Sequence, residues 1–246
     1  MESKKNYMDE LLELGSKALR IAALNIDAKN FILNNEALFI TLKKAANRYI
    51  GGDTLEETIT KVISENQNGF KCSIEFMGES TKTIQETIEV TDEFLRIVEG
   101  IKTQKLYSTI SLDLSHIGLT LSKEFCRDNL EKICKEAKKN GIEVIVSAED
   151  VEKLISKNHK CSIATHHHKI QQETKTLIEK YIPNQSSYEF ESLYGIQTEN
   201  LATLREEGHP TKLYFVYGKE WYLYLCNRIA EYPLNIFRAL DDIVSS

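Results

Sequence analysis

The chain has 246 residues, 41% of them hydrophobic, enough apolar material for one large α/β core or two small ones. Its formal charge is -6, and Lys and Arg alternate with Asp and Glu along most of its length, so it offers no basic field and nucleic acid is excluded as an expected partner. The cysteines, Cys72, Cys126, Cys134, Cys161 and Cys226, are odd in number and contain no Cys-x-x-Cys, which reads as reduced, mostly buried thiols rather than a disulfide framework or zinc knuckle.

The opening run "MESKKNYMDELLELGSKALRIAALN" lacks the uninterrupted apolar core of a signal peptide, and no later window has the length of a transmembrane segment. A cytoplasmic location is therefore expected. Apolar residues recur at helical spacing through "YMDELLELGSKALRIAALN", "NEALFITLKKAANRYI" and "TLEETITKVISEN", the last with Asp53 or Thr54 as N-cap.

Beyond Gln67 the rhythm changes to alternating strands and helices. Strands are expected at "KCSIEFMGE", "YSTISLDLS", "IEVIVSAE", "CSIATHH", "YEFESLYGI" and "KLYFVYG". Between them lie helical patterns, including a short one at "DVEKLISKN", and a final helical tract begins near Glu220. Such alternation predicts parallel strands joined by right-handed crossovers. Six strands are visible where a complete (β/α)8 barrel needs eight, so pattern alone admits an incomplete barrel or an open doubly wound sheet.

No glycine-rich dinucleotide fingerprint or P-loop occurs. Polar residues gather where strands should end: Glu75 and Glu79, Asp113 and His116, Ser147 and Glu149, the histidines 166–168, Glu189 and Glu191, Tyr214 and Tyr217. In parallel α/β folds that edge is where sites are built, although strand ends are also simply exposed. The triplet His166, His167 and His168 invites a metal reading with His116, Asp113 and Glu191. Period-2 geometry weakens it, because on a strand only His166 and His168 share a direction.

The stretch "AANRYIGGDTLEETITKVISENQNGFKCSIEFMGES" resembles the start of a proline dehydrogenase barrel. "ISLDLSHIGL", "VIVSAED" and "IATHHHKI" are similar to later strands of that family, and "YEFESLYGIQTENLATLREEGHPTKLYFVYGKEWYLYLCNRIAEYPLNI" parallels its Leu-Tyr-Gly, Tyr-x-Pro-Tyr-Gly and Arg-Arg-x-x-Glu segments in order. The resemblance covers nearly the whole chain with one gap: between "VSAED" and "IATH" the family has two further βα units. It implies an α/β fold, a (β/α)8 TIM-barrel-derived, incomplete barrel of about six parallel strands preceded by N-terminal helices. Residues 1–67 would be a helical segment packing on the barrel and 68–246 a shortened barrel domain.

The resemblance further implies FAD at the C-terminal mouth and hydride transfer from L-proline or a related cyclic amine or imino acid. Tyr214 would pack on the substrate ring, Arg228 and Glu231 would form the carboxylate clamp, and Thr165, His166 and His167 would contact the cofactor. Several positions depart from the pattern. Asn227 stands where the first Arg of the clamp is expected, Asp113 replaces a Lys, Ser147 an Asp and Val216 a Pro, and the missing strands carry flavin contacts. Three readings stay open: a shortened oxidoreductase of proline metabolism, a catalytically degenerate barrel whose open edge takes a second copy or a partner chain, and a histidine-based metal site.

Overall fold

The computed structural model describes residues 2–78, 80–147, 160–166, 168–181 and 187–245. They divide into two compact units, Met1–Ile50 with Lys219–Ser246, and Gly51–Gly218. The smaller unit begins with α1 (Glu2–Leu24), α2 (Ile26–Asn34) and α3 (Glu36–Asn47). The middle helix is absent from the sequence reading because it buries nothing and so has no apolar stripe. Its limits are written in its caps: the Asn25 side chain accepts from Ala28 N, and that of Asn35 accepts from Leu38 N to start α3.

The larger unit runs α4 (Leu55–Gln67), β1 (Lys71–Phe76), α5 (Ile84–Gln104), β2 (Ser108–Leu112), α6 (Lys123–Lys139), β3 (Val144–Val146), β4 (Cys161–Ala164), α7 (His168–Tyr181), β5 (Tyr188–Leu193), α8 (Thr198–Glu206) and β6 (Thr211–Tyr217). Thr54 caps α4, and Thr83 closes a reciprocal capping box with Glu86 on α5. The expected helix at "DVEKLISKN" lies outside the described residues.

All six strands are parallel, in the order β3-β2-β1-β6-β5-β4. First and last strands are neighbours, as in a barrel, while β3 and β4, consecutive in the chain, form the two edges. The opening falls where the resemblance places the missing βα units. One face of the sheet carries Cys72, Ile74, Ile110, Leu112, Phe190, Leu213 and Phe215, packed against Phe94, Ile97, Val98 and Ile101 of α5, Ile133 of α6 and Leu201 of α8. On the other face the sheet curls. Ser73 of β1 reaches Glu191 of β5 at 2.7 Å although β6 lies between them.

The final tract returns to the smaller unit as α9 (Trp221–Glu231) and α10 (Asn235–Ser245), split at Pro233, whose ring cannot continue a helix. Trp221 is buried, with Phe39 of α3 edge-on at 5.5 Å and the Lys43 ammonium 5.3 Å from its ring centre. Arg48 pairs with Asp242 through two guanidinium nitrogens. Among the described residues no helix is long and apolar enough to cross a membrane, and the five cysteines are free thiols.

Candidate active site

Parallel strands covered on both sides usually read as continuous apolar runs. Here most residues of the concave face on four strands are polar: Lys71, Ser73 and Glu75 on β1, Thr109 and Ser111 on β2, Glu189 and Glu191 on β5, Lys212 and Tyr214 on β6. At the N-terminal end these groups build a closed charge network. Lys212, fully buried, lies 2.6 Å from Glu189 and 3.4 Å from Glu191, and also donates to Ser162 on β4. Lys160 reaches Glu189 at 3.1 Å and Glu143 at 3.6 Å, and Lys71 bridges the same two carboxylates. Burial opposes ionisation of Glu189, yet Lys212, Lys71 and Lys160 outweigh it and bring its carboxyl down to about 2.

Toward the strands' C-terminal ends the balance reverses. Glu75 is 8% exposed, and its Oε2 has no hydrogen-bond partner among the described residues. Burial holds this carboxyl up at about 7; the hydroxyls of Tyr214 and Ser111 favour its charged form, while Asp113 and Glu191 press it further up. Among the described residues, no Lys or Arg occupies a concave-face position in the C-terminal half of a strand. A carboxyl kept near neutrality in such a place marks a candidate site.

Sequence reasoning placed Glu75 among the strand-end residues and gave it no role; it missed Lys212. The signal for both was present, as a polar residue at every second position of strands whose other face is a core.

Tyr214 stands on the concave face beside Glu75. Thr165 and His166 follow β4 directly. The Thr165 carbonyl accepts from buried Gln171, and His166 Nε2 accepts the Leu193 backbone N–H at 3.0 Å, which leaves the ring proton on Nδ1. The turn is thus fixed at both residues. His167 lies outside the described residues. His168 opens helix α7 rather than ending a strand, so the alternating geometry expected of the triplet does not arise.

His116 does not join the mouth either. Its ring stacks on Phe76 and meets Phe94 edge-on, and burial pulls its pKa down to about 4. Among the described residues no three metal-ligating side chains gather.

Arg228 and Glu231 belong to the other unit, on α9, where their three-residue spacing brings them together. Arg228 Nη2 and Glu231 Oε1 form an ion pair at 2.5 Å, and the guanidinium lies over Tyr224 at 4.9 Å. Arg228 Nε is buried with no hydrogen-bond partner among the described residues. Burial raises the Glu231 carboxyl, against the pull of Arg228 and Arg20.

A flavin asks for donors at its ring edge and for cations at its diphosphate. His166 and Thr165 are side chains of the donor type that such a ring edge takes. Among the described residues the concave face offers no cation at its C-terminal end, because Lys71 and Lys212 are paired at the opposite end of the strands.

No family model matches the chain. Proline dehydrogenase 1 of Bacillus subtilis subsp. natto is 25% identical over 292 residues, covering 88% of this chain and 96% of that protein. Proline dehydrogenase 2 of Bacillus subtilis is 23% identical over 283 residues, and proline dehydrogenase of Deinococcus radiodurans 19% over 269. Each match extends over more residues than the 246 of this chain, so the relatives carry segments without a counterpart here. Among solved structures, proline utilization A from Bdellovibrio bacteriovorus inactivated by N-propargylglycine superposes with a TM-score of 0.62 at 12% identity, covering 89% of this chain and 36% of that one. The shared fold is the incomplete six-strand barrel described above.

Proposed function

We propose that the chain, a divergent relative of the proline dehydrogenases, oxidises L-proline or a related cyclic amino or imino acid with FAD as cofactor. The observation that carries this reading is Arg228. Its guanidinium is oriented through Nη2 by Glu231, while a buried Nε–H lacks a partner among the described residues. A buried donor left unmade is costly, and a substrate carboxylate satisfies it with a charge-assisted hydrogen bond.

The remaining roles follow the resemblance. Tyr214 packs against the substrate ring, Glu231 positions Arg228, and Thr165, His166 and His167 touch the flavin. FAD, when bound, accepts a hydride from the carbon next to the substrate nitrogen. The chain itself binds and orients, which for a ring-sized substrate accounts for much of the rate. Asn227 leaves a single guanidinium where the family has two, so capture of the carboxylate is weaker than in a paired clamp.

The test is to purify the protein, record its visible spectrum with and without added FAD, and add L-proline without oxygen. Flavin absorbance bleached by proline is the expected result. A colourless protein that takes up no FAD would overturn the reading.

Among the described residues β3 and β4 are the outer strands of the sheet, which favours a second reading, a binding protein in which a second copy or a partner chain completes the sheet. Sedimentation of the flavin-free protein separates the two, since this reading requires self-association or a bound partner.

A further inference from the structure

The geometry points to Glu75 as the docking point for a protonated cyclic secondary amine, with Tyr214 beside it as the apolar wall for the ring. This inference rests on the oxidation reading for the identity of the substrate, and extends it to the substrate's other charged end.

Three observations converge on Glu75. Its carboxyl is more than nine-tenths buried, yet Oε2 has no partner among the described residues, so the acceptor waits for a donor that this part of the chain does not supply. The position is the C-terminal end of the central strand of a parallel sheet, on the concave face. The charged groups facing it are Asp113, the residue after β2, and Glu191 from β5, with Tyr214 from β6 and Ser111 from β2 as neutral hydroxyls. Lys212, the cation nearest in sequence to Tyr214, is held by Glu189 and Glu191.

A ligand atom that meets the ionised Oε2 is a donor, and the carboxylates around it select a cationic one. An ammonium is that group; a carboxylate in the same place would meet the like charges of Asp113 and Glu191. Burial that raises the carboxyl toward neutrality is relieved when a cation arrives, so binding and ionisation of Glu75 are linked.

Isothermal titration of the purified protein with pyrrolidine, L-proline and tetrahydro-2-furoate tests this. Pyrrolidine carries the ammonium alone, the furoate carries the carboxylate alone, and proline carries both. Glu75→Gln is expected to weaken pyrrolidine and proline roughly tenfold or more and to leave the furoate unchanged. Wild-type affinity for pyrrolidine should rise between pH 6 and 8 (about 7 is where Glu75 ionises), with proton release at the lower pH.

Asp113→Asn should move that inflection to lower pH, which identifies Glu75 as the titrating group. Pyrrolidine binding that is absent, pH-independent or unaffected by Glu75→Gln would overturn the inference. If Glu75→Gln does not fold, the wild-type profile and the Asp113→Asn shift decide. Intact Glu75-dependent pyrrolidine binding in a protein that neither holds FAD nor turns over proline would sink the oxidation reading alone.

Discussion

Glu143, the residue before β3, and Lys160, the residue before β4, stand 3.6 Å apart, although the two strands are the opposite edges of the sheet. Among the described residues the two edges share no ladder of backbone hydrogen bonds, and their charges pin them together at the N-terminal end. The pin works through Glu189, which also holds Lys71 and buried Lys212.

The members of this network are unequal. Lys160 is 36% exposed and screened, so Lys160→Ala should cost less than about 1 kcal/mol. Lys212 is fully buried, and Lys212→Met takes from buried Glu191 the cation that faces it and leaves Glu189 to Lys160 and Lys71, which should cost about 3–5 kcal/mol. Urea denaturation of the two variants checks the contrast. Equal losses would mean that the network does not close the sheet.

Acid should undo the same pin. Glu189 has a folded pKa of about 2 against 4.5 unfolded, so its contribution to stability is complete above pH 4.5 and is lost as pH falls toward 2. The urea midpoint should therefore drop steeply across that window in the wild type. Lys212→Met, lacking the main cause of the depression, should flatten the drop.

Glu75 has the opposite sign. Its folded carboxyl is raised from 4.5 to about 7, so the folded state carries a cost that is fully present above pH 7 and absent below 4.5. Glu75→Gln should stabilise the protein at pH 8 by up to about 3 kcal/mol and leave it unchanged at pH 4.5. Thermal melts at the two pH values read this directly. A variant less stable at pH 8 would mean that Glu75 is a structural carboxylate rather than a ligand-binding one.

The alternation of strands and helices, six strands in number, was legible because each strand sets an apolar face toward helices whose own stripes repeat at the matching period. The opening between β3 and β4 was legible only through the resemblance, since nothing local in "VEKLISKNHKCS" announces a missing strand. Residues that touch across the concave face were not legible at all. Ser73 meets Glu191 and Lys71 meets Glu189 only because the sheet curls, and curvature leaves no periodic trace. His116 misled for a related reason: it sits four residues past a strand end, but its ring turns between Phe76 and Phe94.

Gly78 shows how tightly that histidine is held. A Cβ at this position would lie 2.0 Å from His116 Nε2, and the two phenylalanines leave the ring little room to retreat. Gly78→Ala should destabilise the protein by about 1–3 kcal/mol through overpacking. His116→Ala in the same chain should recover part of that loss, and a denaturation double-mutant cycle measures the coupling. Additive losses would show that the contact is not the cause.

The proposed carboxylate clamp at Arg228 lacks one member that the resemblance leads one to expect. Arg228 is fixed by Glu231 and presents a buried Nε–H, while Asn227, one residue earlier on the same helix, brings no charge. Arg228→Ala should raise the KM for L-proline by roughly 100-fold, and Arg228→Lys by roughly tenfold, since an ammonium cannot reproduce the guanidinium fork.

Asn227→Arg should do the reverse, lowering KM about tenfold with kcat little changed, because it adds ground-state and transition-state binding alike. Steady-state kinetics of the FAD-loaded variants, or proline titration where turnover is too slow, gives the split. An Asn227→Arg protein that binds proline no better would show that this helix does not meet the substrate carboxylate, and would remove Arg228 from the site.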